Sequence, residues 1–251
     1  MSHDNITEKE IEKIDEYGEY TVEQKIEKHF DKNHLVMFRV DYNKYGYQRF
    51  ENGNLITEKV IASDRSLKLG IYPVAPLNIP AKYASHMMLK LITPLVLDPK
   101  SHVDAYITMP IEIGVVHSTD TDVQIIDVFS TAQPRYALYG TPELGILCRY
   151  HETRINPEIP KATAYKEAIL RVHFHNYTDK ISTINRIVFP IEGADFYYRK
   201  NEAYYNDLEA LVQERLLQEV LEVDVTNAEW VGERTNLKQK FDGRYTMELG
   251  F

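Results

Sequence analysis

Between Val103 and Val115 the chain alternates without interruption. Val103, Ala105, Ile107, Met109, Ile111, Ile113 and Val115 are apolar, and Asp104, Tyr106, Thr108, Pro110, Glu112 and Gly114 lie between them. Successive side chains of an extended strand point to opposite faces, so seven apolar residues at period two predict a strand with one buried face. Pro110 has no amide hydrogen to give a ladder, which restricts the segment to an edge strand, a bulged strand, or two strands meeting at a bend. A second alternation predicts burial of Ala168, Leu170, Val172 and Phe174. It turns Ile169, Arg171, His173, His175 and Tyr177 to the opposite side.

The choice of apolar residues extends this leaning to the whole chain. Ile, Val, Thr, Tyr, Phe and Trp together supply 84 of the 251 residues, whereas Ala, the best helix former, occurs 14 times. Further strands are predicted over 35–40, 55–62, 67–74, 123–129, 136–139, 145–150, 181–189 and 221–225. Turn-forming clusters such as Glu51-Asn52-Gly53-Asn54, Asp98-Pro99-Lys100-Ser101 and Gly140-Thr141-Pro142 fall between them. Strand follows strand with no long amphipathic helix between, which argues against a parallel α/β arrangement and for antiparallel sandwiches or barrels.

Helix is expected in two places. The Glu- and Lys-rich segments Ile6 to Tyr17 and Val22 to Phe30 are candidates at the N-terminus, with a tail as the alternative. From Asp207 to Val220, Leu208, Leu211, Val212, Leu216 and Val220 follow helical spacing behind a capping Asp207; the rival is a strand running into Leu221, Val223 and Val225. The expected architecture is therefore mainly β, with two antiparallel sandwich-like halves and a few short helices. An acidic segment, 1–33, precedes a first β domain, 34–156, and a second, 163–251, with Asn156-Pro157-Glu158-Ile159-Pro160 as linker; one larger β domain is the alternative.

The net charge of −9 disfavours nucleic acid and anionic lipid as partners. That charge is uneven: residues 1–33 carry −5, residues 202–251 carry −6, and residues 34–201 carry +2. The acidic ends suit solvated faces or contact with a basic partner, and the middle has room for a local basic patch. A lone cysteine, Cys148, allows no internal disulfide, and the polar N-terminus lacks the basic flank and apolar run of a signal peptide. The most apolar stretch, Met87 to Leu97, is too short to span a bilayer and contains Lys90. These features predict a cytoplasmic protein.

No phosphate-cradling Gly-rich loop, GxSxG elbow, HExxH motif or EF-hand occurs. Alternation places Cys148 beside Ile146 and Tyr150 on one strand face, as a buried structural thiol, although His151 follows three residues later. His173 and His175 share a face about 7 Å apart, close enough to converge on one metal. A cupin-like site would need a Glu soon after, but Asn176-Tyr177-Thr178-Asp179 follows. The simpler expectation is a wet sheet face carrying Arg171, His173, His175 and Tyr177 as binding candidates. Pro110-Ile111-Glu112 also has an echo in Pro190-Ile191-Glu192, each closing a strand-like run, and tyrosines cluster at Tyr42, Tyr45, Tyr47 and at Tyr197, Tyr198, Tyr204, Tyr205.

The run Ile126-Asp127-Val128-Phe129-Ser130, followed by Tyr136-Ala137-Leu138-Tyr139-Gly140-Thr141-Pro142 and Gly145-Ile146-Leu147-Cys148-Arg149-Tyr150, resembles an archaeal family of uncharacterised domains. Tyr17-Gly18-Glu19-Tyr20 and Tyr72-Pro73-Val74-Ala75-Pro76 echo the same family. The resemblance covers most of the chain and implies an archaeal, cytoplasmic protein of unknown activity, with no assigned catalytic or binding residues. The function expected is a non-enzymatic binding or regulatory module, without a cofactor, that recognises a protein or small ligand on a sheet face or in an inter-domain groove. The alternative is a metal-dependent enzyme using His173 and His175, with His151 or Glu152 as a further ligand.

Overall fold

The chain bends at Pro110. In the computed structural model, which describes residues 11–77, 84–119, 122–193, 195–216 and 218–235, the long alternation is two strands separated by Ile111. In chain order the first strands are β1 (Ile11–Lys13), β2 (Gly18–Val22), β3 (Lys25–Phe30), β4 (Asn33–Asp41), β5 (Lys44–Glu51), β6 (Asn54–Ala62) and β7 (Leu67–Val74). The middle holds β8 (His86–Leu97), β9 (His102–Pro110), β10 (Glu112–Ser118), β11 (Val123–Phe129), β12 (Tyr136–Tyr139) and β13 (Ile146–Thr153). The remainder is β14 (Glu167–Asn176), β15 (Ser182–Pro190), β16 (Phe196–Arg199), β17 (Glu202–Tyr205), β18 (Asp207–Arg215), β19 (Gln218–Thr226) and β20 (Glu233–Arg234).

The strands form four sheets, ordered β1-β3-β4-β5-β6, β11-β10-β7-β2, β12-β13-β8-β15 and β19-β18-β14-β17-β16-β20, with β9 on the free edge of β14. Pairing is mostly antiparallel, as expected. Among the described residues four pairs are parallel, β1–β3, β14–β17, β13–β8 and β14–β18, and for the last two several intervening strands supply the long crossover that parallel neighbours need. At Pro110 the chain changes sheets: β9 pairs with β14, and β10 pairs with β7 and β11. Of the three readings of that proline, two strands meeting at a bend is the one observed. Pro190 ends β15 in the same way, and each proline is followed by a buried isoleucine, Ile111 or Ile191.

Both alternations bury the faces expected except at Val103, which is exposed near the start of β9. Ala105, Ile107 and Met109 pack with Ala168, Leu170, Val172 and Phe174 in a single apolar cluster that also takes in Leu35, Met37, Ile71, Leu89, Phe189 and Tyr205. Strands on either side of the Asn156 to Pro160 segment pair directly, β9 with β14 and β8 with β15. Asn156 itself returns to Tyr106, exchanging backbone hydrogen bonds of 2.8 and 2.9 Å. At the β5–β6 hairpin, Asn52 (φ 50°) and Gly53 (φ 82°) occupy the left-handed region that a tight two-residue turn requires.

The helix expectations are corrected. No helix occurs among the described residues. Residues 207–220 belong to a hairpin, β18 and β19, that turns at Leu216 (φ 50°). Leu208, Ala210 and Val212 are its buried face, so a small Ala disguised a period of two as the helical spacing of the larger leucines. Within 22–30, Val22 ends β2, residues 23–24 bend, and residues 25–30 are strand β3, from which Ile26 and Phe30 fill the core opposite Met37 and Asn33 of β4. Of the segment Ile6 to Tyr17, residues 6–10 lie outside the described residues, and residues 11–13 are strand β1.

Candidate functional site

The parallel β14–β18 register and the antiparallel β14–β9 register set three rows of side chains on one sheet face. Arg171 stands beside Tyr106, His173 beside Asp104, and His175 beside His102. His173 Nδ1 lies 2.7 Å from Asp104 Oδ1, and its Nε2 lies 3.6 Å from Asp207 Oδ2. Arg171 Nε donates to the same Asp207 oxygen at 3.0 Å, and Arg171 Nη2 also reaches it. The Asp207 side chain is only 4% exposed, and its second oxygen, Oδ1, is buried without a hydrogen-bond partner. The Arg171 guanidinium is pushed above its usual range, chiefly by that hydrogen bond to Asp207.

His175 does not join this ionic group. Its ring stacks between His102 (centroids 5.9 Å, 20°) and Tyr177 (5.7 Å, 6°), forming a short ladder of rings that ends at the exposed Tyr177. The wet face is drier at its other end, where Ile169 is buried. His173 and His175 thus have different partners.

His151 and Glu152 stand elsewhere. His151 Nε2 faces Glu167 Oε1 at 3.7 Å, six residues along β14 from His173, a separation of roughly 20 Å at about 3.3 Å per residue. Glu152 accepts a 2.7 Å hydrogen bond from Tyr150. Among the described residues no group of three or more His, Cys, Asp or Glu is placed to hold a metal ion. Cys148 is wholly buried, and burial pushes its thiol up. That is the behaviour of a structural thiol and not of a nucleophile.

A groove opens between the β8–β13–β15 face and the β18–β19 hairpin, enclosing about 560 Å3. Ile146, Val188 and Pro190 form one apolar wall, and Val212, Leu221 and Val223 form the other. His86, Asn185, Arg186 and Glu219 supply polar groups. The β15–β8 register shifts between Ile184 and Arg186, and the three residues at that irregularity all line the groove. Such irregularities re-aim side chains, here Asn185 and Arg186. The Arg186 guanidinium lies over the Tyr139 ring at 5.4 Å, while Ser182 Oγ donates to Glu219 Oε2 at 2.9 Å across the two sheets.

A family model described as "Protein of unknown function (DUF432)" matches residues 16–244. The chain belongs to that family. No curated protein and no solved structure matches it. Among the described residues, no helix of this DUF432 protein is long and apolar enough to cross a membrane.

Arg171, His173, His175 and Tyr177 do share one face of this DUF432 fold, as alternation requires. Their main partners, Asp104 and Asp207, were visible as residues but not as partners. Asp104 already sat on the polar side of the first alternation, yet only the β9–β14 register brings it to His173. Asp207, a helix cap by its sequence position, is a buried carboxylate. The groove had no sequence signal, because its walls come from strands far apart in the chain.

Proposed function

We propose that this DUF432 protein is a non-enzymatic binding module whose ligand is a small organic molecule held in the groove between β15 and the β18–β19 hairpin. The observation that carries the reading is the coincidence of the 560 Å3 groove with the register irregularity at Ile184, Asn185 and Arg186. Ligand sites are typically concave, about 300–1,000 Å3, and fitted with a few convergent polar groups. Apolar walls would hold the body of the ligand, with Arg186 and Glu219 at its polar ends. The single cysteine, which allows no internal disulfide, supports placing this module in the cytoplasm.

A protein partner is the second reading, favoured by the His102–His175–Tyr177 ring ladder, since interfaces are rich in rings with polar edges. A metal-dependent enzyme on the same face is weaker, because His173 engages Asp104 and His175 engages two rings.

Ligand-observed NMR with a small-molecule library tests the groove. Hits are expected to be lost in Arg186→Ala and in Val223→Trp while the melting temperature holds. Hits that survive both substitutions would sink the groove, and binding lost only in a His175→Ala, Tyr177→Ala variant would move the site to the sheet face.

A further inference from the structure

A second cavity, of about 140 Å3, lies between the Ala132 to Arg135 segment, β13 and the start of β14. Its charged lining is unusual for a chain of net charge −9. Arg135, Arg149 and Lys166 line it with one carboxylate, Glu167, and His151 beside them, while a second carboxylate, Glu112, is buried behind Arg149.

Arg149 is the deepest of these. Its side chain is 2% exposed, its Nη1 donates to Tyr136 Oη at 3.2 Å, and its Nη2 stands 3.8 Å from Glu112 Oε1, beyond hydrogen-bond reach. The register explains the placement: Arg149 pairs with Tyr136 of β12 and Met87 of β8, opposite in direction to the buried Cys148. Arg135 spreads over the Tyr150 ring at 4.8 Å and, among the described residues, makes no ion pair. Lys166 reaches back to Asp31 at 3.0 Å, a half-exposed pair of the kind that is easily exchanged. Glu167 is already engaged, its Oε2 accepting from the Thr163 amide at 3.0 Å and its Oε1 facing His151.

The Arg135 fork, the remaining N–H groups of Arg149 and the Lys166 ammonium around a small recess are donors suited to a tetrahedral oxyanion, since a guanidinium fork can present parallel N–H groups to two oxygens. A recess with low-dielectric walls also concentrates the local field. At about 30 Å3 per water, the cavity has room for roughly four or five waters, or one phosphate with a water or two. We propose that this cavity is a binding site for a phosphate-sized oxyanion, held by Arg135, Arg149 and Lys166. The site is independent of the groove between β15 and the β18–β19 hairpin and stands whether or not the groove binds a ligand.

Calorimetry on the full chain with inorganic phosphate, and with chloride at equal ionic strength, tests the site. Phosphate is expected to bind saturably and to raise the melting temperature, with chloride doing neither. Arg149→Gln risks the fold, so Arg135→Gln and Lys166→Gln are the informative variants, each expected to weaken phosphate at least fivefold without lowering the melting temperature of the free protein. Glycerol phosphate binding tighter than inorganic phosphate would assign the site to a phosphoryl group on a larger ligand, and weaker binding would assign it to the free ion. A response that chloride reproduces, or unchanged phosphate affinity in the Arg135→Gln, Lys166→Gln double variant, would overturn the proposal.

Discussion

Arg49 Nε donates to Asp127 Oδ2 at 2.6 Å, tying the first sheet to the second, and the two side chains are 9% and 10% exposed. Tyr47 Oη donates to the same oxygen at 2.8 Å, and Arg49 also reaches Asn33 Oδ1 and Thr57 Oγ1. Burial, reinforced by the Asp127 carboxylate, holds the Tyr47 hydroxyl far above its usual range. Removing one partner of such a pair leaves the other buried and charged, so Asp127→Ala is expected to lower unfolding free energy by about 3–5 kcal/mol. Lys68→Ala, which breaks a half-exposed pair with Glu19, should lower it by about 1 kcal/mol or less. Urea denaturation of both variants is the check, and equal effects would refute the distinction.

On the β14 face, Arg171 is the structural member and His175 is not. Arg171 supplies the hydrogen bonds to an Asp207 carboxylate whose other oxygen is already orphaned. Arg171→Met is expected to cost about 2–3 kcal/mol, as for loss of hydrogen bonds to a charged group. The same change made in an Asp207→Asn background should cost distinctly less, because no buried charge is then left behind. His175→Ala should stay within about 1 kcal/mol of the parent. A double-mutant cycle by urea denaturation measures all three, and an additive cycle would remove Asp207 from the explanation.

Much of the fold was legible because burial writes itself into alternation. Leu67–Val74, Val123–Phe129 and Tyr136–Tyr139 are strands with the bounds expected, and Ala168, Leu170, Val172 and Phe174 are all buried. The β18 strand mimics helical spacing for a physical reason: Ala210 is buried yet too small to mark a face, while Leu211 on the opposite side is half covered. The first face of the candidate site was legible because parity along one strand fixes which residues share a side. Its partners were not, because whether His173 meets Asp104 depends on register between strands 69 residues apart. The cation-lined cavity was less legible still. The +2 balance of residues 34–201 allowed for a basic patch without locating Arg135, Arg149 and Lys166 around one recess.

Acid should loosen the fold before any carboxylate titrates. His34 and His151 are both held below the usual imidazole value of 6.5, in each case chiefly by burial. For His34 the neighbouring His29, stacked at 3.9 Å, acts in the same direction, and Glu27 opposes. For His151, Glu167 opposes and Arg135 adds to the lowering. A base with a depressed folded pKa is neutral in the fold and binds its proton more readily when unfolded. Its contribution is therefore intact above pH 6.5 and is lost as the pH falls from there toward the folded value. Each histidine can contribute at most about 1.4 kcal/mol per pH unit. Urea midpoints are expected to fall between pH 7 and pH 5.5, and the slope should flatten in His34→Asn and His151→Asn. Glu27, whose carboxyl is lowered by its hydrogen bond to Lys25, acts in a more acidic window, below 4.5. A flat profile from pH 7 to 5.5 would contradict the burial of both rings.

The apolar cluster and the β8–β15 and β9–β14 pairings cross the Asn156 to Pro160 segment, which leads us to expect one cooperative unit. The single tryptophan makes this measurable. Trp230, whose indole Nε1 donates to the Tyr205 carbonyl at 2.6 Å and whose ring stacks on Tyr204, reports on the C-terminal part of the fold. Far-UV circular dichroism reports on all of the strands, so the two denaturation curves should superimpose. Met37, buried in β4, lies in the N-terminal part and contributes to the same cluster. Met37→Ala is expected to destabilise the chain by about 2–5 kcal/mol and Phe174→Ala by about 3–5 kcal/mol. If the unit is one, Met37→Ala shifts the Trp230 fluorescence transition as far as it shifts the dichroism. If the segments 34–156 and 163–251 fold independently, the Trp230 transition stays where it is in Met37→Ala while part of the dichroism change moves to lower urea.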